Sequence, residues 1–183
     1  MANNWLITGT SSGFGRTLTE LALERGDNVV ATVRKPSALG YLQVRYENRL
    51  RVSILDVTNP KEIVSVVDDA FDAFGKIDFA VSNAGYIMVG AAEEAELSRI
   101  ERLLDTNLLG SIAFAKGVIP HKRRQGGGRI LQISSEQSQM EGSFRKSRSS
   151  VSKSRWLNPA LPEPTSRVRP TIPLPWKSMR TRL

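Results

Sequence analysis

A segment rich in glycine, Thr8-Gly9-Thr10-Ser11-Ser12-Gly13-Phe14-Gly15, follows the short apolar run at residues 5–7 and precedes a helical pattern. This order of apolar run, glycine turn and helix is typical of the opening of a nucleotide-binding βαβ unit. Gly9 permits a sharp turn off the strand, Gly13 lets the backbone approach a pyrophosphate, and Gly15 lets the helix pack close to the sheet. The segment therefore predicts a phosphate-binding loop at the N-terminus of a helix.

Short apolar runs alternate with helical patterns over the first 135 residues. We interpret five of the runs as strands, at residues 5–7, 27–33, 51–57, 77–81 and 129–133. One predicted helix begins at Asn59-Pro60 and is closed by Gly75, which places proline and glycine where helices favour them. Alternation of this kind predicts a parallel, doubly wound α/β sheet, with its ligand beyond the carboxyl ends of the strands.

The second predicted strand ends in two basic residues, Arg34 and Lys35, and has no acid there. In a dinucleotide-binding fold, an acid at this position accepts hydrogen bonds from a ribose 2′-hydroxyl, whereas an arginine pairs a 2′-phosphate. The pattern therefore favours NADP over NAD, with Arg34 as the contact. The alternative is that Arg34 and Lys35 are solvated loop charges.

The longest helical pattern covers residues 91–116 and carries an apolar stripe with Asn107 inside it. The stripe consists of Leu97, Ile100, Leu103, Leu104, Leu108 and Ile112. We expect one helix whose stripe is buried, and we expect Asn107 to be hydrogen-bonded, because an unpaired polar group in a core is costly.

The composition of the chain changes at Gly142. All 14 glycines lie at or before that residue, whereas six of the nine prolines follow it. Residues 143–183 hold ten Lys and Arg against one acid, so the net charge of this segment is +9. Since the whole chain has a net charge of +8, the first 142 residues have a net charge of −1. The sequence therefore predicts a domain at residues 1–142 and a basic, proline- and serine-rich tail at residues 143–183 that is disordered.

The sequence offers few metal-binding side chains and no long apolar segment. The sequence contains no cysteine and one histidine, so it has no disulfide and no thiolate metal site, and we expect no metal. No apolar run approaches the ~20 residues that span a bilayer, and the N-terminus lacks the pattern of a signal peptide. We therefore expect a cytoplasmic protein.

Five motifs stand in one order along the chain: Thr8-Gly9-x-x-x-Gly13-x-Gly15, Asp56-Val57, Asn83-Ala84-Gly85, Asn107 within Thr-Asn-Leu-Leu-Gly, and Ile133-Ser134-Ser135. Together they resemble the short-chain dehydrogenase/reductase family over about residues 3–142. The resemblance implies a Rossmann-type, doubly wound parallel sheet, truncated here after the fifth strand. It also implies hydride transfer between a nicotinamide cofactor and a small alcohol or carbonyl substrate.

The resemblance also implies roles for residues at the matching positions. The pyrophosphate and the nearby ribose would be held by Gly9, Ser11, Ser12, Gly13, Phe14 and Gly15. Asp56 would bond the adenine amino group and Val57 would pack on its ring, while Asn83, Ala84 and Gly85 would line the path to the nicotinamide ribose. Ser135 would hydrogen-bond the substrate oxygen, and Asn107 would bend its helix and hold a proton-relay water.

The sequence departs from the family at its Tyr-x-x-x-Lys pair, which follows the active serine by thirteen residues. Counted from Ser135, these positions hold Arg148 and Ser152, and Lys153 is one place off. None of the three tyrosines in the chain is followed four residues later by lysine. A phenol with a pKa of about 10 needs a nearby ammonium to shuttle protons near neutral pH, so the activity of this chain is in question.

Three alternatives remain open from the sequence. The chain could be a truncated or frame-shifted family member, in which the segment after residue 142 is the product of a shifted reading frame or an unspliced intron. Alternatively, the chain could be a catalytically silent dinucleotide-binding or interaction protein. The third alternative, which we rank last, is that the basic tail with Trp156 and Trp176 binds nucleic acid or an anionic membrane. The sequence leaves open whether the chain forms a homo-oligomer.

Overall fold

The centre of the fold is a six-stranded sheet in the order β3-β2-β1-β4-β5-β6. The structure is a computed structural model, and it describes residues 2–89, 94–135 and 149–154. The strands are β1 (Asn4–Ile7), β2 (Asn28–Val33), β3 (Leu50–Ile54), β4 (Phe79–Ser82), β5 (Arg129–Ser135) and β6 (Ser149–Ser154). β1 to β5 are all parallel, which confirms the five predicted strands and their direction.

Helices cover both faces of the sheet. They are α1 (Gly13–Glu24), α2 (Gly40–Arg45), α3 (Pro60–Phe74), α4 (Leu97–Leu104) and α5 (Gly110–Arg124). Trp5 and Ile7 of β1 pack in one buried cluster with Leu23 of α1, whereas Leu6 packs in a second cluster with Phe114 of α5. Since successive side chains of a strand point to opposite faces, each face has its own core. The sheet is doubly wound, as predicted.

Helix α3 begins and ends where its sequence indicates. The Asn59 side chain caps the helix by accepting a hydrogen bond of 3.1 Å from the Lys61 N–H, and Pro60 occupies the first turn. Gly75 follows the last turn with φ of 70°, a conformation that glycine adopts without a Cβ penalty. One face of α3 is buried through Ile63, Val66, Val67, Ala70 and Phe71.

Two helices and a π-helical turn replace the single helix that we predicted over residues 91–116, of which residues 91–93 lie outside the described residues. The π-helical turn spans Asp105–Leu109, between α4 and α5. The prediction of a buried stripe is wrong for four of its residues, with exposed fractions of 76% for Leu97, 48% for Leu104, 53% for Leu108 and 48% for Ile112. Helical spacing identifies residues that share a face, but it does not identify what covers that face.

Strand β6 lies within the segment that we expected to be disordered. It pairs antiparallel with β5, with Ile133 opposite Val151 and Ser135 opposite Ser149. An unpaired edge on β5 would leave backbone N–H and C=O groups without partners, and a second strand supplies them. The parallel part of the sheet ends at β5. Residues 143–148 and 155–183 lie outside the described residues, and the boundary at residue 142 stays a prediction.

Candidate functional site

The glycines of the loop between β1 and α1 differ in the space around them. A Cβ on Gly9 would lie 2.7 Å from Ala84 Cα, and one on Gly15 would overlap the Asn83 amide nitrogen and the Gly9 carbonyl. Gly13 has φ of 58°, and among the described residues no atom outside its chain neighbours lies within 4 Å of the position that its Cβ would occupy. Gly9 and Gly15 are therefore required for close packing, whereas Gly13 borders open space.

Hydrogen bonds join the ends of β1 and β4 beneath this loop. The buried Thr8 Oγ1 accepts from the backbone N–H groups of Asn83 at 2.9 Å and Ala84 at 3.0 Å. The Asn83 Nδ2 donates in return to the carbonyls of Thr8 at 2.9 Å and Gly9 at 3.0 Å. Two of the predicted site motifs, 74 residues apart in the chain, are thereby brought together at the carboxyl edge of the sheet.

The N-terminus of α1 presents exposed residues at this edge. Ser11, Ser12, Gly13 and Phe14 are all exposed, and the Phe14 side chain has an exposed fraction of 66%. Ser12 is the N-cap residue, and its side chain makes no capping hydrogen bond in the described part of the chain. Because the first N–H groups of a helix have no intrahelical acceptor, this end of α1 is suited to bind an anion.

Charged residues surround the carboxyl ends of β2 and β3. Arg34 is exposed just after β2, and Asp56 follows β3. Asp56 Oδ1 accepts hydrogen bonds from the Thr58 N–H at 3.0 Å and the Thr58 hydroxyl at 2.8 Å. These bonds lower the pKa of the Asp56 carboxyl, and the charges of Arg34 and Arg102 lower it further. Asp56 is therefore held as a carboxylate beside two guanidinium groups.

The first residue of α5 packs against Val57. A Cβ on Gly110 would lie 2.8 Å from the Val57 carbonyl oxygen. The absence of a side chain at Gly110, which is buried, thus lets the start of α5 approach the loop after β3. The predicted adenine-binding residues Asp56 and Val57 lie between this helix and the end of β2.

The Asn107 side chain binds the backbone of the segment after β4. Its Oδ1 accepts from the Tyr86 N–H at 3.0 Å, and its Nδ2 donates to the Tyr86 carbonyl at 2.8 Å. A Cβ on Gly85 would lie 3.1 Å from the same Oδ1. Asn107 itself lies in the π-helical turn between α4 and α5.

A polar network that we did not predict joins α5 to the middle strands. The Ser111 hydroxyl donates to the Asn107 carbonyl at 3.0 Å and also contacts the Ser82 hydroxyl at 3.1 Å. Gln132 of β5 donates from Nε2 to the Ser111 hydroxyl at 3.3 Å. A glutamine within an apolar strand was the available sequence signal, since buried polar side chains need partners.

Ser135 is the last residue of β5, at the same edge as the glycine loop, and its Cα pairs with that of Ser149. The neighbouring Ser134 is exposed. Of the two positions spaced for the tyrosine and lysine, Arg148 lies outside the described residues and Ser152 pairs with Gln132 in β6.

Two kinds of feature are absent from the described ranges 2–89, 94–135 and 149–154. They contain no group of three or more His, Cys, Asp or Glu residues that could hold a metal ion. No helix in them combines the length and the apolar content needed for a membrane crossing. The single histidine, His121, contacts Asp68 at 2.7 Å and Arg124 at 2.8 Å, so it links α5 to α3.

The family model of the short-chain dehydrogenases matches residues 3–154, which include the glycine loop, Asn83-Ala84-Gly85, Asn107 and Ser135. The chain belongs to the short-chain dehydrogenase/reductase family. This confirms the resemblance, and the match extends twelve residues beyond Gly142 to the end of β6. The family is one of oxidoreductases that use a nicotinamide cofactor.

Individual proteins are similar to this chain over about three quarters of its length. Oxidoreductase BOA17 from Botryotinia fuckeliana (strain B05.10) is 37% identical over 136 residues, which are 74% of this chain and 50% of that protein. A short-chain dehydrogenase structure from Streptomyces avermitilis has a TM-score of 0.72 at 36% identity, covering 76% of this chain and 52% of the other. The structure of ElxO with NADP bound has a TM-score of 0.68 at 27% identity, covering 74% and 56%. The chain spans about half the length of the curated relatives that it matches.

Proposed function

We propose that this short-chain dehydrogenase binds a nicotinamide dinucleotide with the pyrophosphate on the loop between β1 and α1. The observation that carries the proposal is the contrast within that loop. Gly9 and Gly15 are packed against the residues that follow β4, whereas no atom of the described residues other than its chain neighbours lies within 4 Å of the Gly13 Cβ position. Within the described part of the chain, the loop is thus closely packed on one side and open on the other, beside the N-terminus of α1, where backbone N–H groups attract phosphate.

The adenosine end of the dinucleotide would lie at the ends of β2 and β3. Both hydrogen bonds from Thr58 go to Asp56 Oδ1, so Oδ2 can accept from an adenine amino group while Val57 packs on the ring. Arg34 stands where an acid would recognise a 2′-hydroxyl, so we propose NADP as the preferred cofactor. The similar structure of ElxO, which has NADP bound, supports this choice.

The reacting end would lie between the loop after β4 and the end of β5. Asn83, Ala84 and Gly85 would border the nicotinamide ribose, and Ser135 would donate a hydrogen bond to the oxygen of an alcohol or carbonyl substrate. The bound cofactor would donate or accept the hydride. Asn107 would act through its two bonds to Tyr86, which hold the backbone of this loop in place.

Turnover would be slow, because Arg148 and Ser152 occupy the positions spaced for the tyrosine and lysine. Loss of general acid–base help lowers rates by roughly 10²–10⁴. The same observation favours a second candidate function, a dinucleotide-binding protein without catalytic activity. The two candidates share the cofactor site and differ in turnover alone.

A fluorescence titration of the purified protein with NADPH and NADH tests cofactor binding. We expect saturable binding of both, with the lower dissociation constant for NADPH. Equal constants would remove the NADP preference, and no binding of either cofactor would contradict the proposed function. Loss of NADPH absorbance in the presence of aldehydes and ketones would then distinguish the enzyme from the silent binding protein.

Two glycines with positive φ and open space at the Cβ position provide a control for the site. Gly13 and Gly75 have φ of 58° and 70°, and among the described residues no atom outside their immediate chain neighbours lies within 4 Å of either Cβ position. Gly13→Ala and Gly75→Ala each place an alanine at positive φ, so each should cost roughly 1–3 kcal/mol of stability. NADPH binding should weaken about tenfold or more in Gly13→Ala alone, which corresponds to ~1.4 kcal/mol. Equal NADPH binding by the two variants would contradict the proposal that the pyrophosphate binds at this loop.

A further inference from the structure

Arg16 links α1 to the turn that follows β2. Its Nε donates to Glu20 Oε1 at 3.1 Å, and its NH1 donates to the Ala38 carbonyl at 3.3 Å. Its guanidinium carbon also lies 5.2 Å from the centre of the Tyr41 ring. The side chain of Arg16 retains an exposed fraction of 32%, so it is held in place and still reached by solvent.

The position of these contacts relates Arg16 to the adenosine ribose. Ala38 belongs to the 3-10 turn Pro36–Leu39, and its N–H donates to the Lys35 carbonyl at 3.2 Å. The guanidinium is therefore connected through one residue to the basic end of β2. In a doubly wound fold, the pyrophosphate lies at the N-terminus of the first helix and the ribose 2′ position near the end of the second strand. Arg16, in the first turn of α1, contacts the turn that begins at Pro36, three residues after the end of β2.

We propose that Arg16 is a specificity-determining residue that pairs with the 2′-phosphate of NADP together with Arg34. This inference rests on the proposed function, because it concerns the same cofactor site. A guanidinium has five N–H donors, and the two bonds above use one on Nε and one on NH1. The remaining donors can bond phosphate oxygens in the planar geometry that arginine provides and lysine does not.

Glu20 and Tyr41 would act as positioning residues for Arg16. The Tyr41 hydroxyl donates to the same Glu20 oxygen that accepts from Arg16 Nε. A guanidinium fixed in this way loses less side-chain freedom when a phosphate binds than an unrestrained arginine would lose. Sequence analysis could not identify this set, because Arg16 is separated from Ala38 by 22 residues and depends on how α2 packs.

Two nucleotide fragments that differ by the 2′-phosphate provide the test. Isothermal titration of the full chain with adenosine 2′,5′-bisphosphate and with adenosine 5′-monophosphate measures the 2′-phosphate contribution without the nicotinamide half. We expect Arg16→Gln to weaken bisphosphate binding about tenfold or more, as for the loss of a hydrogen bond to a charged group, and to leave monophosphate binding within about twofold. Arg16→Lys should recover part of the loss at most.

Arg45→Gln is the matched control, since it also removes one positive charge, here from α2 instead of α1. The Arg45 guanidinium carbon lies 5.2 Å from the centre of the Tyr46 ring. We expect it to change neither affinity by more than about twofold. Equal effects of Arg16→Gln and Arg45→Gln, or equal weakening of both nucleotides by Arg16→Gln, would overturn the role of Arg16 while leaving the cofactor site intact. Failure of the unaltered chain to bind either fragment would overturn the cofactor site and this inference together.

Discussion

Asn107 holds Tyr86 through both polar groups of its side-chain amide, which pair with the N–H and the carbonyl of the same residue at 3.0 and 2.8 Å. The two residues are 21 positions apart, one in the π-helical turn and the other directly after Asn83-Ala84-Gly85. A side-chain amide that satisfies the N–H and the carbonyl of one residue imitates strand pairing. The loop that would border the nicotinamide is thus held by the π-helical turn between α4 and α5.

Replacing Asn107 should release this loop. Asn107→Ala removes both hydrogen bonds, and each is worth about 0.5–1.5 kcal/mol, so we expect a loss of roughly 1–3 kcal/mol and faster hydrogen exchange at the Tyr86 amide. Asn107→Asp keeps the acceptor for the Tyr86 N–H and loses the donor, so its Tyr86 amide should stay protected. Denaturant unfolding and amide exchange by NMR measure both effects. Unchanged exchange in Asn107→Ala would show that other contacts hold the loop.

Gly15→Ala should destabilise the protein by a steric mechanism. The new Cβ would overlap the side-chain Nδ2 of Asn83 and the Gly9 carbonyl oxygen. The hydrogen bond that joins these two atoms between the ends of β4 and β1 would then have to break. Overpacking of this kind costs about 1–3 kcal/mol. Gly117→Ala is a suitable control, because its Cβ would meet Ile63 and Val67 at ordinary distances of 3.6 Å. Chemical denaturation should separate the two variants, and equal stability would mean that the loop relaxes without loss.

The glycine loop and the parallel sheet were predictable from sequence because their signals are local. Gly9, Gly13 and Gly15 are each required by backbone geometry or by close packing, and these requirements act over one turn of chain. Predicted strand ends differed from the structure by up to three residues, for example Leu50–Ile54 in place of residues 51–57. Asp56 and Val57 consequently lie after the strand, where a ligand can reach them.

Contacts that depend on packing were not predictable. Two of these contacts join residues more than 20 positions apart: the hydrogen bonds between Asn107 and Tyr86, and the hydrogen bond from Arg16 to Ala38. Lys122, in the basic run of residues 121–124, reads as a solvated charge and is buried with 2% of its surface exposed. The surroundings of these side chains depend on which helices and strands pack against each other. Helical or strand periodicity in the sequence does not predict that packing.

Asp27 should contribute stability that is lost in acid. Its carboxylate is buried and accepts from the Asn3 N–H, the Trp5 indole at 2.9 Å and Arg25 Nε at 3.0 Å. Burial by itself raises the pKa of Asp27, but these hydrogen bonds outweigh it, so the pKa lies below 3.8. A lowered pKa stabilises the fold above the unfolded value, and this contribution disappears as pH falls through the folded value.

The variant Asp27→Asn tests this contribution. The asparagine side chain has an NH₂ group in place of one carboxylate oxygen, so it can no longer accept all the hydrogen bonds that Trp5 and Arg25 donate. We expect the free energy of unfolding to fall by roughly 1–3 kcal/mol at pH 7. The difference from the unaltered protein should shrink as pH falls below about 4, because the Asp27 carboxyl of the unfolded chain is protonated there before that of the folded chain. Thermal unfolding at a series of pH values measures the difference. A constant difference down to pH 2 would contradict a lowered pKa.

Lys122 should make stability rise with pH in the alkaline range. Burial lowers its pKa from 10.5 to about 8, although Asp78 acts in the opposite direction. Between these two values the unfolded chain binds more protons than the folded chain, so the free energy of unfolding increases with pH. The full increase is about 3 kcal/mol at 1.36 kcal/mol per pKa unit. The variant Lys122→Met tests this contribution, because it lacks the titrating ammonium.

In Lys122→Met the Ile77 carbonyl, which accepts from Lys122 in the unaltered protein, keeps its hydrogen bond of 2.9 Å from Gln125. We therefore expect Lys122→Met to be at least as stable as the unaltered protein at pH 7 and less stable above pH 10, measured by urea unfolding. Parallel pH profiles for the two proteins would show that the Lys122 ammonium is solvated in the folded state.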